Sequence, residues 1–186
     1  MNQREFEIRY RYPLLWLNRA ERHLYSARII YKEIKKLLSK KSARNDNFDQ
    51  KYRSLSETYL FLIGIAMENL IKGLIISKEP VIKDLTELKS KYGWNDKHDL
   101  SSMIMKNFNF LDKDEKDTIS RVEEYVKWAG KYPLTKKAMP INGVDYNLKD
   151  KDKENIEKLF FDIKLHITNN WRKTENEYFQ WIQPEK

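Results

Sequence analysis

The chain has 186 residues, 40% of them apolar and 34% charged, with 36 Lys and Arg against 28 Asp and Glu for a net charge of +8. That length supports one buried core and leaves little for a second, so one helical domain is expected over residues 1–186. The absence of cysteine excludes disulfides, Cys-ligated zinc and thiol chemistry, while the basic excess either favours a polyanionic partner or keeps helix surfaces solvated.

Residues 1–12 form a charged arm in which Arg4, Arg9 and Arg11 are spaced among Phe6, Ile8, Tyr10 and Tyr12. Such alternation pairs as a strand, lies on a partner or frays. No apolar h-region and no small-residue cleavage site follow it, so a cytoplasmic location is expected. Pro13 suits the opening turn of a helix, and Leu17, Ala20, Leu24, Ala27, Tyr31, Ile34 and Leu38 recur at steps of three and four over about Leu14 to Ser39. This register is close to a heptad seam and predicts nearly antiparallel packing on the next helix. Between the two, Lys35, Lys36, Lys40, Lys41 and Arg44 form the densest basic patch. It either contacts phosphates or is a solvated connection with lysines at a helix C-terminus, where cations are favourable.

The stretch from Leu55 to Ile76 is the apolar spine. Leu55, Tyr59, Leu62, Ile63, Ala66, Met67, Leu70, Ile71 and Leu74 share one stripe at 3.6 residues per turn. Glu68 and Lys72 interrupt the run, so it reads as a bundle core and no membrane span is expected. Asn47 or Asp49 is placed to cap this helix, which runs to about Lys78 before Pro80.

From Val81 to Phe110 two short helices are predicted. The first has Asp84 as a cap and ends at Gly93; the second begins at Asn95 or Asp96, which puts His98 in its first turn. Asp112 and Glu115 have capping-box spacing, and Ile119, Val122, Val126 and Ala129 carry the following helix until Gly130 and Pro133 end it. Lys131 to Leu148 reads as a long loop with a tight turn at Asn142-Gly143. A last helix from about Lys149 to Ile182 would extend roughly 50 Å, so its aromatic end, with Phe179, Trp181 and Ile182, either bends back or meets a second subunit. The expected fold is all-α: an antiparallel up-down bundle of four to five main helices plus short ones, with a long C-terminal helix.

The chain has no glycine-rich phosphate loop and no Glu-x-x-His pair, which argues against P-loop and di-iron chemistry. Neither a metal nor a cofactor is expected. Of the three histidines, His23, His98 and His166, only His98 stands in a polar context, following Trp94 and flanked by Asp96, Lys97 and Asp99. It is either a proton-transfer group or a ring that packs at a helix junction.

MENLIKGLI with Glu68 and Lys72, GWNDKHDL with His98 and Asp99, and EEYVKWAGKYP with Trp128, Lys131 and Tyr132 follow one another in an order that resembles HEPN-like proteins. The resemblance spans about residues 14 to 182. It implies an antiparallel helical bundle, usually dimeric, in prokaryotic toxin-antitoxin or phage-defence settings. Nuclease members carry an Arg four to six residues before a His and cleave RNA without metal. Here the three corresponding positions hold Lys91, Tyr92 and Gly93, and Lys91 offers a point charge in place of the bidentate fork.

The resemblance therefore implies a homodimer that binds RNA or a nucleotide, with a degenerate or absent nuclease motif. His98 and Lys91 are the catalytic candidates, and Glu68, Lys72, Asp99, Trp128, Lys131 and Tyr132 are the ligand-binding ones. A reading from another class is a protein-interaction module, a defence-complex subunit that docks a protein partner through its last helix and basic surface.

Overall fold

A computed structural model describes residues 3–39, 46–81, 85–94, 98–108, 111–129 and 150–183. Every regular element among them is helical: α1 (Gln3–Tyr10), α2 (Pro13–Ser39), α3 (Asp46–Lys78), α4 (Leu85–Tyr92), α5 (Leu100–Asn107), α6 (Lys113–Glu124), a π-helical turn (Tyr125–Ala129) and α7 (Asp150–Ile182). The all-α class and the long last helix are as expected.

The spine is the centre of this bundle. Leu60, Ile75 and Ile76 are buried in addition to Tyr59, Ile63, Ala66, Met67, Leu70, Ile71 and Leu74, so α3 is covered on more than the one predicted stripe. By length and composition α3 could cross a membrane, yet 72% of its most apolar window is buried by the rest of the chain. That burial is what a central bundle helix requires.

Helix α2 buries Leu17, Ala20, Leu24, Ala27 and Ile34 against α3. The two run antiparallel, since Tyr31 packs on Tyr59 with ring centroids 5.5 Å apart and Trp16 lies against Gly73. Helix α7 also runs antiparallel to α2, with Lys164 paired to Glu21 and Arg28 to Glu157. On another side of α3, Gly64 admits the π-helical turn so closely that a Cβ there would fall 1.8 Å from Val126 Cγ2. A stiff valine cannot yield to that methyl, so Gly64 fixes where the turn sits.

Three boundaries differ from the sequence expectation. Residues 3–10 form a helix in place of a strand or frayed arm. Long-range contacts override the local alternation: Arg4 donates to the Trp181 carbonyl at 2.7 Å, and Tyr178 Oη donates to the Ile8 carbonyl at 2.7 Å. Burial pushes the Tyr178 phenol up to about 12, so it stays a neutral donor. The aromatic end of α7 is therefore packed on α1 through Tyr178 and Trp181, while Phe179 stays 47% exposed. Helix α3 starts at Asp46, which places Asn47 and Asp49 inside it and not at its cap.

Helix α5 starts later than Asn95 or Asp96. Asp99 is its N-cap and accepts from Ser102 N at 3.1 Å, so His98 precedes the helix and does not lie in its first turn. Gly93 follows α4 at φ +68° as predicted. The capping box is also present, with Glu115 N donating to Asp112 Oδ1 at 2.8 Å and Asp112 N to Glu115 Oε2 at 3.0 Å. Asp84, Asn142-Gly143 and the loop from Lys131 to Leu148 lie outside the described residues.

Candidate functional site

Glu68 lies at the edge of the buried stripe and is only 8% exposed. One turn later on the same face, Lys72 Nζ reaches Glu68 Oε1 at 2.6 Å, the favourable order for a pair four residues apart. The second carboxylate oxygen, Oε2, is 2.7 Å from His98 Nδ1. Burial acts to raise the Glu68 pKa, but Lys72 and then His98 outweigh it and hold the carboxyl below its usual range. Both oxygens are thus committed, and the carboxylate is ionised at neutral pH.

An aromatic shell surrounds the ammonium. Lys72 Nζ is 5.6 Å from the Trp16 ring centroid and 5.4 Å from that of Trp94, cation–π distances that offset part of the lost hydration. Trp16 and Trp94 meet edge to face at 5.8 Å, Tyr10 stacks on Trp94 at 5.4 Å, and Trp16 Nε1 donates to the Tyr10 carbonyl at 2.7 Å. Helices α1 and α2 and the segment after α4 thus converge on one lysine of α3.

His98 has φ 57°, a left-handed conformation costing on the order of 1–3 kcal/mol for a residue with a side chain. Its link to Glu68 and the turn that follows support that geometry. Leu100 N donates to the His98 carbonyl at 3.0 Å around Asp99, whose φ and ψ of −82° and 78° make an inverse γ-turn. The π-helical turn brings Lys127 to the same place, with Nζ 3.8 Å from Asp99 Oδ1 and paired to Glu123. Glu123 Oε2 in turn accepts from Ser101 N at 2.6 Å.

The structure therefore joins Glu68, Lys72, His98 and Asp99 of the predicted set. Sequence reasoning missed Tyr10, Trp16, Glu123 and Lys127; the four-residue spacing of Glu123 and Lys127 was the available signal. Lys91 is not brought to this cluster, because it pairs with Glu79 and lies over Tyr92. The side chain of Trp128 and both Lys131 and Tyr132 lie outside the described residues. His166 packs edge to face on Phe108 at 5.3 Å. Among the described residues no group of His, Asp and Glu is placed to hold a metal ion.

Lys35 and Lys36 are exposed on the last turns of α2, and Lys40, Lys41 and Arg44 lie outside the described residues. Lys32 on α2 and Lys153 on α7 join the first two around Tyr31, lining a groove of about 530 Å³ with Ser39. Lys153 Nζ is 5.3 Å and Lys35 Nζ 5.6 Å from the Tyr31 ring centroid. No acidic side chain lines the groove among the described residues, although Lys36 pairs with Glu33 at 2.6 Å. Because Tyr31 packs at the level of Tyr59, the groove lies roughly 13–20 Å along α3 from Glu68 and Lys72 at 1.5 Å per residue.

Fold and geometry define an all-α bundle with a partly buried Glu-Lys-His cluster and a separate lysine groove. Compared with family models, with curated proteins and with solved structures, the chain matches none.

Proposed function

We propose that this chain is a HEPN-like cytoplasmic protein that binds RNA or a nucleotide-like polyanion without cutting it, in a toxin-antitoxin or phage-defence setting. The observation that carries the binding is the groove in which Lys32, Lys35, Lys36 and Lys153 from two helices surround Tyr31. Lysines at such spacing track phosphates, and an aromatic beside them offers a stacking face. The loss of cleavage follows from the Glu68 cluster. Lys72 and Lys127 are each paired with a carboxylate, so neither is an uncompensated charge for a phosphate, and no Arg stands at the spacing the nucleases use. With Nδ1 held by Glu68, any proton transfer by His98 has to use Nε2.

RNA binding should weaken steeply with salt, because each neutralised phosphate of a single strand releases about 0.7 counterions. Replacing Lys32, Lys35 and Lys153 together by Ala should flatten the log–log salt slope by about 2. His98→Ala should leave binding unchanged, and the unmodified protein should leave the RNA intact. Filter binding at several salt concentrations and a gel of the recovered RNA read both. Undetectable binding at low salt would remove the RNA reading in favour of the interaction module. Cleavage abolished by His98→Ala would instead restore a nuclease.

The homodimer in this reading has a specific face. Tyr25 and Phe161 are 66% and 65% exposed, with Ile29 and Leu165 nearby at 46% and 49%. A cavity of about 820 Å³ between α2 and α7 is lined by Tyr25 and Phe161 together with Arg22 and the paired charges of Glu21, Lys164, Arg28 and Glu157. On a chain of net charge +8, this nearly neutral apolar face is where two copies meet with least repulsion. Sedimentation should report twice 22.6 kDa for the natural chain and the single mass for Phe161→Glu. A monomeric natural chain at micromolar concentration would rule the dimer out.

A further inference from the structure

Between α1 and the first turns of α2 lies a second cavity, of about 300 Å³, lined by Phe6, Arg9, Tyr10, Leu15, Trp16 and Arg19. Three of the six are aromatic and two carry guanidinium groups. No acidic side chain lines it among the described residues. We propose that this cavity binds a 5′-phosphorylated nucleotide, with the base against the aromatic wall and the phosphate between Arg9 and Arg19.

The arginines are the distinguishing feature. Arg4 and Arg11 lie over the Trp181 ring, Arg28 pairs with Glu157, Arg53 with Glu57 and Arg121 with Asp152. Arg9 and Arg19, like Arg22 and Arg172, have no such partner for their guanidinium groups among the described residues; all four are exposed, but only Arg9 and Arg19 line this cavity. These two come from different helices, the last turn of α1 and the second turn of α2, so the turn between the helices sets their separation. Two planar forks on one cavity match the oxygens of a phosphate monoester.

The wall is built before any ligand arrives. Trp16 is fixed by its hydrogen bond to the Tyr10 carbonyl and by packing on Trp94, while Tyr10 lies between Phe6, Trp16 and Trp94. Phe6 and Leu15 remain 43% and 39% exposed, so apolar surface faces the opening at no cost in rearrangement. A planar base would cover that surface, with stacking supplying affinity and little sequence choice. The volume is at the low end of small-ligand cavities, roughly 300–1,000 Å³, which suits one nucleotide and excludes a length of chain. The nucleotide comes either free or as the 5′ end of an RNA. This cavity is separate from the lysine groove, and the proposal stands whichever way the RNA experiment falls.

Calorimetric titration of the full chain with AMP tests it, alongside adenosine, inorganic phosphate and a short RNA with and without a 5′-phosphate. AMP should bind at least about tenfold more tightly than adenosine or phosphate alone, since each lacks one half of the recognition. Replacing Arg9 and Arg19 together by Ala should remove that difference. Replacing both by Lys should recover it only in part, because the charge returns without the fork. Arg172→Ala, at an exposed arginine that does not line the cavity, should leave AMP binding untouched. Binding of the 5′-phosphorylated RNA alone, with the same arginine dependence, would support the site and assign its source to an RNA end. Binding of neither probe, or binding that survives loss of both arginines, would overturn the proposal.

Discussion

Leu70→Asp should leave the protein unfolded at room temperature. Leu70 is fully buried at 0% exposure, between Met67 and Leu74 on the face of α3 that the other helices cover. Truncating such a leucine to Ala costs about 2–5 kcal/mol through lost burial and the cavity left behind. Asp adds a carboxylate with no partner at that depth, a further penalty of several kcal/mol whether it is paid in desolvation or in protonation. The sum is comparable to the whole stability of an ordinary domain, about 5–15 kcal/mol. Leu70→Ala is the matched control and should melt lower but cooperatively. Circular dichroism against temperature and urea reads both variants, and an unshifted midpoint for Leu70→Asp would mean that this face of α3 is not the core.

How far the fold could be read depends on the range of the interactions that set each element. The α3 stripe, the α2 seam, the Asp112–Glu115 capping box and the stop at Gly93 follow from neighbours within a few residues, where helical periodicity and capping chemistry act. Residues 3–10 do not. Their helix is held by Trp181 and Tyr178, more than 160 residues away, and nothing local in Arg4 or Ile8 announces that contact. The same gap misplaced the start of α5. Asn95, Asp96 and Asp99 are all competent caps, and the choice of Asp99 goes with the γ-turn and the reach of His98 to Glu68.

The candidate site was legible in part for the same reason. Glu68 and Lys72 are one turn apart, so their pairing is a local fact, and His98 is marked by its polar neighbours Asp96, Lys97 and Asp99 as well as by the resemblance. Trp16 and Lys127 reach the cluster only through helix packing, at Gly73 and Gly64 respectively. Lys91 shows the reverse failure. Its spacing from His98 places it in the motif's position, but Glu79 at the end of α3 offers a carboxylate and the tyrosine hydroxyl of Tyr92 shares it. Counting residues locates a side chain along the chain and leaves its nearest opposite charge undecided.

Glu68→Ala should be the most damaging change at the candidate site, for a reason that a double substitution isolates. The variant leaves the Lys72 ammonium, 17% exposed, without its carboxylate, and removing one member of a buried pair costs about 3–5 kcal/mol. Glu68→Gln keeps an acceptor for Lys72 and should cost less, about 1–3 kcal/mol. The combined Glu68→Leu and Lys72→Met change should recover most of the loss, because no charge remains to be solvated and a thioether packs well between Trp16 and Trp94. The pH dependence has a fixed sign. Glu68 titrates below its usual value in the folded chain, so its contribution is complete above the unfolded carboxylate range and is lost as pH falls through the folded pKa. Urea titrations at neutral pH should therefore separate natural and Glu68→Gln proteins, and titrations at progressively lower pH should bring them together. A double variant no more stable than Glu68→Ala would show that the penalty comes from lost shape and not from the stranded lysine. In that case Glu68 holds His98 in place through packing, and its charge is not what fixes the ring.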